Sequence, residues 1–92
     1  MKIIFVSTGW RDYLYWQNTD RAILKKINRL IDDITRDDPF TGVGKPEPLR
    51  YSLAGAWSRR ITDEHRLVHV IGVDADGKDT VTVISCRHHY DS

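Results

Sequence analysis

The sequence predicts an α+β fold of order β-α-α-β-β-β, in which two N-terminal helices pack on one face of a mainly antiparallel sheet. Three observations carry this. The chain opens on a β-branched run, its residues 20–36 repeat apolar side chains at three- and four-residue intervals, and its second half alternates in three short segments separated by turn residues.

The first strand is "KIIFVS" (2–7), rich in β-branched and aromatic residues and read as buried. Thr8 then offers a helix N-cap, and Trp10, Tyr13, Leu14, Trp16 and Gln17 form one face of a short amphipathic helix. Asp20 caps a second helix, whose buried stripe is Ile23, Leu24, Ile27, Leu30, Ile31 and Ile34 and whose wet side carries Lys25, Lys26, Arg29, Asp32 and Asp33. This helix stops before "DDPF", because Pro39 lacks an N–H and disfavours helical geometry at Asp38. A Gly- and Pro-rich loop follows and ends in the rigid tripeptide Pro46, Glu47, Pro48. Strands are expected at "AWSRRIT", "HRLVHVIGV" and "TVTVISCRHH", with a tight turn at Asp63 and Glu64, a longer one at "DADGK", and an additional short strand near "LRYSL".

Ninety-two residues suit one domain, spanning 1–92. With 40% hydrophobic and 29% charged residues the composition is that of a soluble globular protein. The longest apolar runs are too short to cross a bilayer and the start lacks a signal-peptide pattern, so the expectation is a cytoplasmic protein with no membrane partner. The lone Cys86 excludes an internal disulfide and a paired-cysteine zinc motif; its setting in "VISCR" reads as a small buried hydrophobe. A net charge of +1 excludes a polybasic nucleic-acid binder, but residues 45–66 hold five basic against three acidic side chains, which permits a local cationic face.

Strand alternation assigns Arg66, Val68 and Val70 to one side of the sheet and His65, Leu67 and His69 to the other. Arg66 begins one strand and His89 ends a neighbour. A carboxylate such as Glu47 can remove a proton, an imidazole such as His89 can deliver one near neutral pH, and the guanidinium of Arg66 can bind phosphate oxygens through paired hydrogen bonds. Together these are the parts for RNA cleavage without a metal: attack by a ribose 2′-hydroxyl, stabilisation of charge on the phosphoryl oxygens, and protonation of the departing 5′-oxygen. The prolines flanking Glu47 would hold its carboxylate in place. Each residue also has a plain structural reading, Arg66 as a strand-end charge and Glu47 as an exposed loop residue, and the residue types alone leave both open. His65 and His69 carry the spacing of a helical metal pair, but in a strand that spacing separates the rings, so metal binding there is not expected; no metal and no cofactor is assigned elsewhere. The Trp10, Tyr13 and Trp16 stripe reads as packing rather than a base-stacking platform.

The stretches "DYLYWQNTD", "KKIN", "GVGKPEPLRYSLAGAWSRRITDEHRLVHVI" and "SCRHHY" closely resemble the YoeB family of bacterial toxins, within the wider RelE and ParE superfamily, from the first strand to Tyr90. The resemblance implies a microbial ribonuclease-like fold and a ribosome-dependent endoribonuclease that cuts messenger RNA in the ribosomal A site and so inhibits translation. It also implies a YefM-like antitoxin as partner, the 70S ribosome and mRNA as target, and a homodimer. Carried over by motif, Glu47 in "KPEP" is the general base, Arg66 in "EHRLV" stabilises the phosphate, His89 in "HHY" is the general acid, and Tyr90 shapes the site or stacks on a base. Lys45 and Arg60 bind RNA phosphates, joined by Arg50, which stands where the family commonly has Lys and replaces a point-like ammonium with a planar fork. The turn "VDADGKD" looks longer than in the family, and Asp91 and Ser92 follow the Tyr90 at which the family chain typically stops. Two other classes stay in view: a non-hydrolytic ParE-like toxin acting on a DNA topoisomerase, which lacks the Glu, Arg and His set, and a degenerate homologue that only binds a partner.

Overall fold

A computed structural model describes residues 1–36 and 38–88; Asp37, His89, Tyr90, Asp91 and Ser92 lie outside the described residues. Strand β1 (Lys2–Phe5) leads into helices α1 (Ser7–Thr19) and α2 (Arg21–Arg36), followed by β2 (Glu47–Pro48), a 3-10 turn (Tyr51–Leu53), β3 (Trp57–Arg60), β4 (Arg66–Val73) and β5 (Asp79–Ser85). The five strands form one sheet in the order β1-β5-β4-β3-β2. Every pairing is antiparallel except that of β1 with β5, which is parallel and made possible by the helical crossover between them.

The amphipathic stripe of α2 behaves as its periodicity predicts. Ile27, Leu30, Ile31 and Ile34 are buried and meet Leu67, Val81 and Val83 from the sheet, with Trp16 of α1 and Cys86 completing the core. The Asp20 carboxylate caps α2, accepting from the N–H groups of Ala22 and Ile23 at 3.0 and 3.2 Å. On the opposite face of the sheet a smaller cluster joins Leu49, Ala56 and Val68, with Val70, Leu53 and Ile84 against it. Leu67 and Val68 therefore point to opposite sides, as alternation requires. No helix among the described residues is long and apolar enough to cross a membrane.

Several expectations need correction. Thr8 does not cap α1, which starts one residue earlier at Ser7 after Val6; the Thr8 hydroxyl donates instead to the Ile84 carbonyl at 2.6 Å. Strand β1 is an edge strand with Lys2, Ile3 and Ile4 exposed, because its partner lies on one side only. Trp10 is nearly half exposed and stacks on Tyr13 rather than entering the core. The additional strand lies at Glu47–Pro48, ahead of "LRYSL", where Tyr51–Leu53 makes a 3-10 turn. The last strand ends at Ser85, so Cys86, Arg87 and His88 leave the strand expected to run on through them.

One close approach fixes how α1 sits on the sheet. A Cβ added to Gly9 would stand 2.4 Å from the Val83 carbonyl oxygen, so only glycine lets the helix backbone settle against β5.

Candidate active site

Adjacent residues of β3 face opposite ways, and the two faces treat their arginines differently. Arg59 points toward α2 and is fully buried. Its guanidinium pairs with Asp33 at 2.5 Å and donates to the carbonyls of Val43, Pro39 and Thr41 at 2.9, 3.1 and 2.8 Å. That one side chain thus binds the loop between α2 and β2 onto the second helix. The hydrogen bond from Arg59, then that from the Val43 N–H, hold the Asp33 carboxyl below its usual range. The Gly44 carbonyl accepts from the Arg60 N–H at 2.7 Å, and a Cβ on Gly44, whose φ is +87°, would lie 2.8 Å from a methyl carbon of Leu30. The loop is pinned on both sides just before it delivers Lys45 and Glu47.

Ser58 and Arg60 point to the other face. Glu47 pairs with Ser58 in register, and Arg60 lies directly opposite Arg66. Lys45, Glu47, Ser58, Arg60 and Arg66 line one hollow of about 80 Å³. A hollow on that scale takes a few waters or one phosphate-sized anion. Three cationic side chains and one carboxylate leave it with a charge of +2. Two arginines facing each other across a strand pair repel. Arg66 is nevertheless buried to 9% exposure, with Nη1 donating to the carbonyls of Thr62, Asp63 and His65 at 2.5, 3.3 and 3.2 Å. The loop after β3 thereby fixes the guanidinium by one nitrogen. An anion in the hollow would relieve the repulsion.

Residues 86–88, after β5, are led to the same place. Thr8, Asp12 and Trp16 recur every four residues along one face of α1. Thr8 donates to the Ile84 carbonyl, the Asp12 carboxylate accepts from the Cys86 N–H at 3.0 Å, and the Trp16 indole donates to the Cys86 carbonyl at 2.8 Å. The Arg87 guanidinium lies 3.5 Å from the centre of the Tyr15 ring. His88 then bonds at both backbone groups: its N–H donates to Nδ1 of His65 at 2.7 Å and its carbonyl accepts from the Arg66 N–H at 3.2 Å. His89 and Tyr90, assigned by motif, lie outside the described residues, and the last described residue is bonded to the arginine of the hollow.

Of the residues singled out from the sequence, Lys45, Glu47, Arg60 and Arg66 are brought together. Arg50 is exposed beside the 3-10 turn and does not line the hollow. Sequence reasoning missed Ser58, Arg59 and His65. The first follows from β2 register, which no pattern displayed; the second sits beside Arg60 with nothing to distinguish the two except alternation; the third was weighed only as half of a metal pair. His65 and His69 do not share a site, since His69 is fully buried and its pKa is pushed down to about 4, by burial first and then by the Arg59 charge. Burial also pushes the Cys86 thiol up to about 12, so it is an inert core group.

Backbone strain gathers here as well. Among the described residues, three that are not glycine have φ in the left-handed region: Lys45 at +51°, Tyr51 at +57° and His88 at +69°. They line the hollow, follow Arg50 and precede His89, and such conformations persist where surrounding contacts over-determine them.

Residues 5–90 match the model of the YoeB-like toxins of bacterial type II toxin–antitoxin systems. The toxin YoeB of Escherichia coli K12 is 54% identical over 90 residues, covering 98% of this chain and 100% of the relative. A YoeB/ParE toxin from Agrobacterium tumefaciens superposes with a TM-score of 0.90 at 47% identity, over 98% of this chain and all of the other. YoeB of Staphylococcus aureus, solved as a dimer, superposes at 0.83 with 42% identity over 98% of both chains, and its complex with YefM gives 0.83 at 40% over the same shares. With the match running through the hollow and the tail that approaches it, this chain belongs to the YoeB-like family of toxins of bacterial type II toxin–antitoxin systems.

Proposed function

We propose that this single domain is a ribosome-dependent endoribonuclease that cuts messenger RNA in the A site without a metal and so arrests translation. The observation that carries the reading is the hollow on the helix-free face, where Glu47 stands among Lys45, Arg60 and Arg66. Glu47 takes the proton from the ribose 2′-hydroxyl, and that oxygen attacks the adjacent phosphorus. Arg66, fixed by its carbonyl contacts, meets the charge growing on the phosphoryl oxygens, and Lys45 and Arg60 bind the same phosphate or its neighbour. Arg50, outside the hollow, engages a flanking phosphate. His89 gives a proton to the departing 5′-oxygen, leaving a 2′,3′-cyclic phosphate and a 5′-hydroxyl, while Tyr90 shapes the site. DNA has no 2′-hydroxyl and is spared.

The net charge of +1 suits an enzyme to which the ribosome presents the substrate, because a local cation cluster then suffices. Free RNA lacks that ordering and should turn over poorly. The toxin works in the cytoplasm, is held inactive by a YefM-like antitoxin, and forms a homodimer, as its relatives' solved assemblies suggest.

The test is cleavage of message on programmed ribosomes with mapping of the new 3′ ends. Cyclic or 3′-phosphate ends are expected, with Glu47→Gln and Arg66→Ala folded and at least about 10²-fold slower. A parent protein that cuts nothing, or variants as fast as the parent, would reject the reading. DNA damage on expression without message cleavage would favour a topoisomerase-directed toxin instead.

A further inference from the structure

We propose that His65 is a positioning residue for the C-terminal acid: its neutral imidazole clamps His88 in a left-handed conformation and thereby sets the path of the chain into His89. This rests on the nuclease reading of the site. His65 does not line the hollow, so its action is through the tail alone.

A backbone N–H only donates, so the 2.7 Å contact with His88 requires a lone pair on Nδ1 of His65. The ring must then be neutral with its proton on Nε2, which faces the Glu64 carboxylate at 3.6 Å. The imidazole meets the Trp16 ring edge-on, with centroids 4.7 Å apart. Trp16 in turn binds the Cys86 carbonyl. Two rings in mutual contact therefore hold residues 86 and 88. The Arg66 N–H takes the His88 carbonyl from the other side.

What this clamp holds is a conformation that a side-chain-bearing residue seldom adopts. His88 has φ of +69°, where a strand continuing from β5 would be extended. Remove the acceptor, and the His88 N–H loses its partner, leaving the Arg66 N–H alone to offset the strain; the residue relaxes and the direction in which the chain leaves it changes. Chemistry that depends on placement loses about 10²-fold for a displacement near 1 Å.

The experiment compares His65→Ala, His65→Asn and His65→Ala/His88→Gly with the parent on programmed ribosomes. Asparagine presents an amide oxygen close to where Nδ1 stood, and glycine adopts the left-handed conformation without penalty. We expect His65→Ala to lower kcat about 10²-fold with KM within about twofold. His65→Asn should retain most of the parent rate, and the double variant should recover about tenfold over His65→Ala. His65→Leu, which keeps bulk without an acceptor, replaces the alanine variant if that one unfolds and must reproduce its loss. The His88 amide, followed by NMR in a Glu47→Gln background, reads the clamp independently of cleavage: slow exchange in the parent and the asparagine variant, fast exchange in the alanine or leucine variant. A parent that cleaves while His65→Ala keeps its kcat, or loses only KM, overturns the positioning role and leaves the nuclease reading intact. So does an asparagine variant as slow as alanine with the His88 amide still protected. A parent that fails to cleave message ends both.

Discussion

Arg59 and Arg60 are neighbours in the chain and opposites in circumstance. On the helix side, Arg59 is buried with a carboxylate and three carbonyls around its terminal nitrogens. On the open side, Arg60 stands opposite Arg66 and near Lys45, and the same hollow contains one carboxylate. Buried charge is costly unless paired, and the helix side obeys that rule. On the open side Lys45 and Arg60 are exposed and Arg66 is bonded to carbonyls, yet three cations share the hollow with one carboxylate, a surplus that an anionic ligand can satisfy. A surplus of like charge gathered in one hollow marks the face where a ligand of opposite charge would bind.

Substitutions on the two faces should have opposite consequences. Asp33→Ala should strand the buried Arg59 charge and free the loop from Pro39 to Val43, costing about 3–5 kcal/mol. That is a large share of the roughly 5–14 kcal/mol available to a chain of this size. Chemical denaturation should show the midpoint falling steeply. Glu47→Gln should do the reverse, costing no more than about 1 kcal/mol of stability while cleavage on ribosomes falls about 10²–10⁴-fold. If Asp33→Ala left stability intact, or Glu47→Gln unfolded the protein, the division between a structural and a chemical face would be wrong.

The helix side can also be titrated. His69 is wholly buried, and neither ring nitrogen has a hydrogen-bond partner among the described residues. Its folded pKa, about 4, is below the ordinary 6.5, so between these values the unfolded chain binds a proton that the native state refuses. The stability this confers is complete above pH 6.5 and drains away as pH falls toward 4, by an amount on the order of 3 kcal/mol. Asp33 and Asp74, both depressed below 3.8, extend the loss to more acid conditions. Unfolding free energies measured from pH 7 to pH 4.5 should decline in the parent and stay nearly flat in a folded His69→Phe variant; parallel curves would remove His69 as the cause.

Much of this division was legible in the residues. The six-residue apolar stripe of α2, its Asp20 cap and the alternation about Leu67 and Val68 follow from local geometry, and local geometry is what sequence encodes most directly. The motif around Glu47 and Arg66 pointed to two residues that the fold brings into one hollow. Register was not legible: nothing short-range says that Glu47 opposes Ser58, that β1 runs parallel to β5, or that Arg59 reaches an aspartate 26 positions earlier. The Thr8, Asp12 and Trp16 spacing was visible all along. It was missed because polar and aromatic residues at helical intervals are ordinarily sorted into a wet side and a core, whereas here they grip the backbone of a departing strand.

Arg60 should give a smaller effect, of unusual sign. If Arg60 and Arg66 repel across β3 and β4, then Arg60→Gln should stabilise the free protein by about 0.2–1 kcal/mol, an unusual sign for removing a side chain from a sheet. The gain should shrink as salt is added, because Arg60 is exposed and its field is screened over about 10 Å at 0.1 M. The same variant should cleave more slowly, since the cation removed is one the substrate phosphate would have engaged. Lost rate with gained stability is the signature of a residue kept for its ligand. Denaturation of parent and variant at two salt concentrations, beside their cleavage rates, measures both. A variant less stable than the parent at low salt would mean that Arg60 is held by its own neighbours, the Asp63 carboxylate at 4.0 Å foremost, and that the open face is as self-satisfied as the closed one.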